Sequence, residues 1–223
     1  MSEPLTSSAV ARLPEHAEPA HIGSRLRAQR ERLGVTLREA ARRVGVSASL
    51  ISQIERDKVN PSVSTLYALV RELGLTMGDL FESDGDAAPD TSSASTVNAG
   101  PVVNPEDRVA IDLASGVTWE RLTPVSDPGV EFLHVVYDVG SESCPEDSLV
   151  RHGGKEYGFV VSGRLGVRIA FEEYVLGPGD SISFDSSSPH RLWAVGNERV
   201  TAIWFVVGRQ SDSRQDWLGR AQS

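Results

Sequence analysis

The 223-residue chain carries 22 Lys and Arg against 31 Asp and Glu, a formal net charge of −9 that argues against a uniformly polyanion-binding protein. No run approaches the ~20 apolar residues of a membrane span. The single cysteine, Cys144, excludes an internal disulfide and suits a reducing compartment.

Residues 1–20 have no apolar periodicity and are expected to be a disordered tail. They show neither the basic start nor the apolar run of a secretory signal, so a cytoplasmic protein with no membrane partner is expected. From residue 21 the pattern changes. Ile22, Leu26 and Leu33 mark an amphipathic helix whose other faces hold Arg25, Arg27, Arg30 and Arg32. Thr36 and Glu39 have the T-x-x-E spacing of a capping box, which predicts a second helix running through Val44. Gly45 supplies the positive φ of a sharp reversal, and Ser47 caps a third helix that turns Leu50, Ile51 and Ile54 inward. Ala41 is small where the two helices cross. This is a helix-turn-helix, a module that lays its second helix in the DNA major groove.

Asn60-Pro61-Ser62 makes a turn and a new helix start, after which Leu66, Leu69, Val70 and Leu73 repeat at i, i+3, i+4, i+7. Gly74 stops that helix, and Thr76 to Asp79 opens a short fifth one ending at Leu80-Phe81. Charge counted by segment fits this reading. Residues 21–82 hold ten Lys and Arg against seven Asp and Glu, net +3, whereas 83–223 is net −10. Only the N-terminal part is expected to face phosphate, and a net +3 calls for two copies on two half-sites. On the third helix, Ala48, Ser49, Ser52 and Gln53 are the expected base-facing positions, with Ser47 at its cap and Arg56 near its end. Gln53 suits adenine N6/N7. Arg38, Arg42 and Lys58 are expected on the phosphate backbone.

The segment 21–82 resembles the DNA-binding domain of the phage-repressor-like (Xre-type) regulators, especially in the run SLISQIERDKVNPSVSTLYAL. That resemblance implies the same base-reading positions. It also implies that Arg30 and Glu55 form a structural ion pair between helices and do not touch DNA.

Residues 83–107 are rich in Ser, Ala, Asp, Gly and Pro and read as a flexible linker, whose ends would lie ~25–30 Å apart if it behaved as a coil. Residues 108–209 are all-β by pattern. The runs VEFLHVVYDV, YGFVV, LGVRIAF, SISFD, HRLWAV and VTAIWFVV are separated by Gly, Pro, Asp and Ser, which predicts a sandwich or small barrel. Residues 210–223 are expected to be a tail with Trp217 as a local anchor.

Two fragments of the β-rich part are specific. His152-Gly153-Gly154-Lys155-Glu156 is followed, after six intervening residues, by Gly163, and Gly177-Pro178-Gly179-Asp180 is followed ten residues later by His190. This resembles the cupins, double-stranded β-helix (jelly-roll) barrels whose first motif is H-x-H-x(3,4)-E-x6-G. Val150 stands where that family's first metal-binding His belongs. His152, Glu156 and His190 are then the candidate metal ligands, for a divalent ion such as Fe or Zn. A pocket for an organic ligand is the alternative for the same residues, and His134 is an outside replacement for the missing ligand. Tyr157, Arg168, Phe184, Arg191 and Trp193 are candidate pocket residues, with Arg191 suited to a carboxylate effector.

As a whole the chain resembles Xre-type regulators with a C-terminal cupin sensor: a five-helix domain, a linker and an all-β barrel. The resemblance implies a cytoplasmic homodimer that binds a double-stranded operator and responds to a small-molecule effector. Some non-haem iron epoxidases share this layout, so an iron-dependent oxygenase is the alternative class.

Overall fold

The computed structural model describes residues 20–81, 100–127 and 129–208. The tails at 1–19 and 210–223, with Trp217, and the linker residues 83–99 lie outside the described residues.

The N-terminal unit consists of α1 (Ile22–Arg32), α2 (Leu37–Val44), α3 (Ala48–Ile54), α4 (Val63–Glu72) and α5 (Met77–Leu80). Local chemistry sets each boundary. The hydroxyls of Thr36, Ser47, Ser62 and Thr76 accept backbone N–H groups in the first turns of α2 to α5. Only Thr76-Asp79 forms a reciprocal capping box. The box expected at Thr36-Glu39 is half made, because the Glu39 carboxylate turns to Arg43 one helical turn on. Gly45 ends α2 at φ 82°, a left-handed conformation that admits glycine without strain. Leu26, Ile51, Ile54, Leu66, Leu69 and Leu80 fill the core between the helices.

Arg30 and Glu55 lie inside this unit. Arg30 Nε and Nη2 donate to the two Glu55 carboxylate oxygens at 2.6 and 2.8 Å, and Nη1 donates to the Val35 carbonyl at 2.9 Å. The pair therefore ties α1 to the end of α3, the structural role expected of it.

Among the described residues the C-terminal unit has nine strands: β1 (Ala110–Leu113), β2 (Val117–Arg121), β3 (Val130–Tyr137), β4 (Lys155–Ser162), β5 (Leu165–Ile169), β6 (Glu172–Leu176), β7 (Ser181–Asp185), β8 (His190–Ala194) and β9 (Val200–Val207). One sheet runs β1-β2-β3-β9-β4-β7 and the other β6-β5-β8, all antiparallel. Burial alternates along β4, β8 and β9, so each strand turns one face into the barrel and one out. Strands β1, β2 and β6 lie outside the six runs that the sequence pattern marks as strand. They are short, and β6 is mostly exposed.

The two units pack together. Ala20 N–H donates to Ala110 O at 2.8 Å and Ala114 N–H to Pro61 O at 3.0 Å. The Arg121 guanidinium lies 5.9 Å from the Phe81 ring centroid. Tyr67 on α4 packs on Trp119 of β2 with ring centroids 5.5 Å apart. Ala20 thus belongs to this contact and not to the tail, while residues 105–107 of the expected linker form a short 3-10 turn beside the barrel.

Glu55→Ala is expected to destabilise the protein by about 3 kcal/mol, because it leaves the buried Arg30 charge with only the exposed Glu31 carboxylate, 3.6 Å away, as its ionic partner. Replacing both partners by apolar residues, Arg30→Met with Glu55→Leu, is expected to cost much less. Urea midpoints of the three proteins, compared at constant m, check this.

Candidate functional site

Two sets of side chains carry chemistry. The first lies on the helical head. Ser47, Ser49, Arg38, Arg42, Arg56 and Lys58 are exposed, while Ser52 and Gln53 are half-buried on α3. The Ser47 hydroxyl accepts the Leu50 N–H, so it fixes the start of α3. Ala48 packs against the core and offers less surface to a ligand than its neighbours. The exposed positions remain open with the barrel docked, since their exposure is that of the whole chain.

The second set lies inside the barrel. Glu156 is the second residue of β4 and points inward at 4% exposure. His190 opens β8 and also points inward. His152 precedes β4 and does not share its strand. Its N–H donates to Ser186 O at 3.0 Å, and the Gly153-Gly154 turn returns the chain to β4. His152 Nε2 and His190 Nε2 come within 2.9 and 3.2 Å of the same oxygen, Glu156 Oε1. One ligand atom from each residue lies within 4.8 Å of the others.

The outer edge of the cluster is equally defined. Trp204 on β9 donates its indole N–H to Glu156 Oε2 at 2.7 Å. Gly158, opposite Trp204 in the β4–β9 register, has no side chain, and the indole lies over it where a Cβ would clash. The two histidines place Nδ1 against backbone carbonyls, His152 against Gly153 O at 3.0 Å and His190 against Ser188 O at 2.9 Å. With Nδ1 donating there, each ring turns Nε2 toward Glu156 Oε1: protonated, it donates to the carboxylate, and deprotonated, it offers a lone pair to a cation. Three electron-pair donors aimed at one point, two of them oriented by carbonyls, is the arrangement that a divalent cation satisfies.

Electrostatics run the same way. Burial pushes the Glu156 carboxyl up, but the His152 hydrogen bond, the His190 and His152 charges and the Trp204 indole together hold it down at about 2. Burial raises the Tyr137 phenol and the Cys144 thiol, so neither is an activated nucleophile.

The cluster opens on a cavity of ≈ 40 Å³. Its walls include Trp119, Tyr137, Val150, Trp204 and Leu192 from the barrel, and Val63 and Tyr67 from the head. Val150 lies in this wall beside the cluster, where a fourth ligand would have been. His134 does not replace it, because it faces the opposite side of β3 and bonds Glu120 at 3.0 Å. Of the candidate pocket residues, Phe184 alone points inward, its ring 5.1 Å from His190. Tyr157 is exposed on the outer face of β4. Arg168 reaches Glu146 and Glu173. Arg191 pairs with Glu142 and covers Trp193, with both on the outer face of β8. Strand parity is the reason: each sits one residue from an inward position. Sequence reasoning misses the wall residues Trp119, Tyr137 and Trp204, although Trp204 shares the parity of Val206 in a run that reads as strand.

Comparison with known proteins agrees with both halves. The description "Helix-turn-helix" matches residues 26–80, and "Cupin domain" matches residues 133–206. The chain joins an Xre-type helix-turn-helix domain to a cupin domain. It is 29% identical to the HTH-type transcriptional regulator PuuR of Escherichia coli K12, over 75% of this chain and 84% of the relative. It is 23% identical to SutR of the same organism, over 83% of this chain and 93% of that one. The fold is shared with an HTH_3 family transcriptional regulator from Vibrio cholerae, at a TM-score of 0.58 and 24% identity, covering 84% of this chain and 95% of that chain. Among the described residues no helix is long and apolar enough to cross a membrane.

The sign of the Glu156 shift makes a testable statement for the chelator-treated protein. A carboxyl depressed from 4.5 to about 2 contributes stability that is complete above pH 4.5 and lost as pH falls through 2. The stability gap between wild type and Glu156→Gln is therefore expected to shrink as pH falls below about 4.5. Urea unfolding at each pH measures it.

Proposed function

We propose that the chain works as a homodimeric one-component regulator: the helix-turn-helix reads an operator, and the cupin barrel senses a small-molecule effector through a metal held by His152, Glu156 and His190. The observation that carries this reading is the convergence of two carbonyl-oriented imidazoles and a buried carboxylate on one point inside the barrel. A divalent ion there, Fe or Zn, supplies a Lewis-acid anchor for an oxygen or nitrogen of the effector. The chain's own residues do the rest. Trp204 holds the outer carboxylate oxygen, Gly153 and Ser188 carbonyls fix the ring tautomers, and Trp119 and Tyr137 form aromatic walls.

On the DNA side, the exposure of Arg38, Arg42, Arg56 and Lys58 supports phosphate contacts, and the place of Ser49, Ser52 and Gln53 on α3 supports base contacts. The dimer is supported by the outer face of β4 and β9. Tyr157, Phe159 and Val161 are exposed there beside Ile203 and Phe205, an apolar sheet surface that suits a second copy. A regulator and not an oxygenase is supported by the relatives, which are transcriptional regulators, and by the open surface of the reading helix.

Elemental mass spectrometry of untagged protein is expected to find close to one divalent metal per chain, lost in Glu156→Ala while operator binding persists. Folded wild-type protein free of metal would sink the metal reading. On DNA, Gln53→Ala is expected to relax preference at one operator position by about 1–3 kcal/mol. Arg42→Ala should weaken all sequences alike and lower the salt slope by about 1. Binding titrations at several salt concentrations separate the two effects.

A further inference from the structure

The cavity beside the metal cluster is walled on one side by the DNA-binding head. Val63 and Tyr67 stand one turn apart on α4 and face the same way. Both line the cavity with barrel residues. The Tyr67 ring lies 5.0 Å from His152 and 5.5 Å from Trp119, centroid to centroid, and so covers one ligand and one wall of the site. Val63 is buried at 3% exposure, and its neighbour Leu66 belongs to the helical core, so Val63 moves only with α4. The backbone contact between Pro61 and Ala114 anchors the start of the same helix to β1's end.

Size restricts the occupant. A cavity of ≈ 40 Å³ has room for a metal ion and a few waters, at roughly 10–15 Å³ each. Sites for organic ligands run to about 300 Å³ and more. The barrel wall opposite the head is built of paired strands, whereas α4 is tied to the barrel by the Val63 and Tyr67 side chains and the one backbone hydrogen bond at Pro61.

We propose that Tyr67 and Val63 are effector-site residues contributed by the head, so that an organic effector enters the cupin barrel only by displacing α4. The ligand class is a small molecule with an apolar or aromatic body and one metal-ligating oxygen or nitrogen. The walls offer aromatic and aliphatic surface, with no Lys or Arg among the residues that line the cavity. Entry of such a molecule moves the head relative to the barrel, and with it the spacing of two reading helices in a dimer. The reading surface itself stays exposed when the head is docked, so the signal is a change of head position and not an uncovering of α3. By reciprocity, DNA that fixes the heads must alter opening of the pocket. This deepens the sensor reading above and rests on it.

The test needs no effector. In full-length, chelator-treated protein with Cys144→Ser, Val150→Cys places a thiol in the cavity wall, and N-ethylmaleimide labelling followed by mass spectrometry reports how often the pocket opens. Tyr67→Ala is expected to speed labelling by about tenfold, while Tyr67→Phe, which keeps the ring, labels at the parent rate. A thiol on the exposed strand β6 of the other sheet, Val175→Cys, should label equally with either residue 67. A saturating DNA duplex selected by this protein is expected to change the Val150→Cys rate by about threefold or more. Equal Val150→Cys rates with Tyr or Ala at 67 overturn the proposal, and so does indifference to DNA. Metal content and operator affinity of the unmodified chain test the sensor reading separately, so a protein that holds metal and binds DNA with no dependence on Tyr67 loses this inference alone.

Discussion

A carboxylate buried at 4% exposure organises the cupin half of this molecule. Removing Glu156 from water is costly unless its charge is met by donors or by a cation. The fold meets it on both oxygens, with the Trp204 indole at one and the two imidazoles at the other. Each partner makes a further demand. Trp204 requires the missing side chain at Gly158, and the imidazoles require carbonyls at Gly153 and Ser188 to hold their tautomers. Because the partners come from β4, β8, β9 and the segment before β4, they fasten the two sheets together around one group. A site assembled from separate strands in this way is pre-organised for whatever sits in it.

The head completes that enclosure. Tyr67 covers His152 and packs on Trp119, so the apolar core of the helical unit is continuous with that of the barrel. The charge segregation seen in the sequence then has a structural consequence. A net −10 segment and a net +3 head are joined in contact, not at a distance, and Arg38 and Arg42 of α2 remain exposed with Arg56 and Lys58 after α3. Phosphate therefore meets the positive face at short range, while acidic groups more than a Debye length away are largely screened.

Much of this is legible in the residues. The helix boundaries follow from Thr36, Gly45, Ser47 and Ser62, because capping is local chemistry that one hydroxyl or one missing Cβ decides. The cluster is legible from motif spacing. The pocket wall is not: Tyr157, Arg168, Arg191 and Trp193 have the chemistry of pocket residues, and strand parity turns each outward. A shift of one position reverses the face, and composition carries no parity unless one inward residue is fixed first. Glu156 and His190 are such anchors, and counting by two from them gives Gly158 and Leu192 at once. The head–barrel contact is illegible for a different reason. Tyr67 sits in an amphipathic helix as a half-buried residue, and nothing in a 3.6-residue period says which second surface such a residue meets.

The same contact bears on the choice between sensor and enzyme. An enzyme with this pocket would have to move its head aside to admit each substrate and again to release each product, so the head's docking free energy would oppose every turnover. A sensor gains from the same arrangement. A ligand shifts an equilibrium only by its differential affinity for the two states, and a pocket walled by the head makes that difference large by construction. Displacing Tyr67 subtracts from the effector's affinity the same free energy that it adds to the coupling. Weak apparent binding and strong response are then one property, set by how firmly α4 is held against β2.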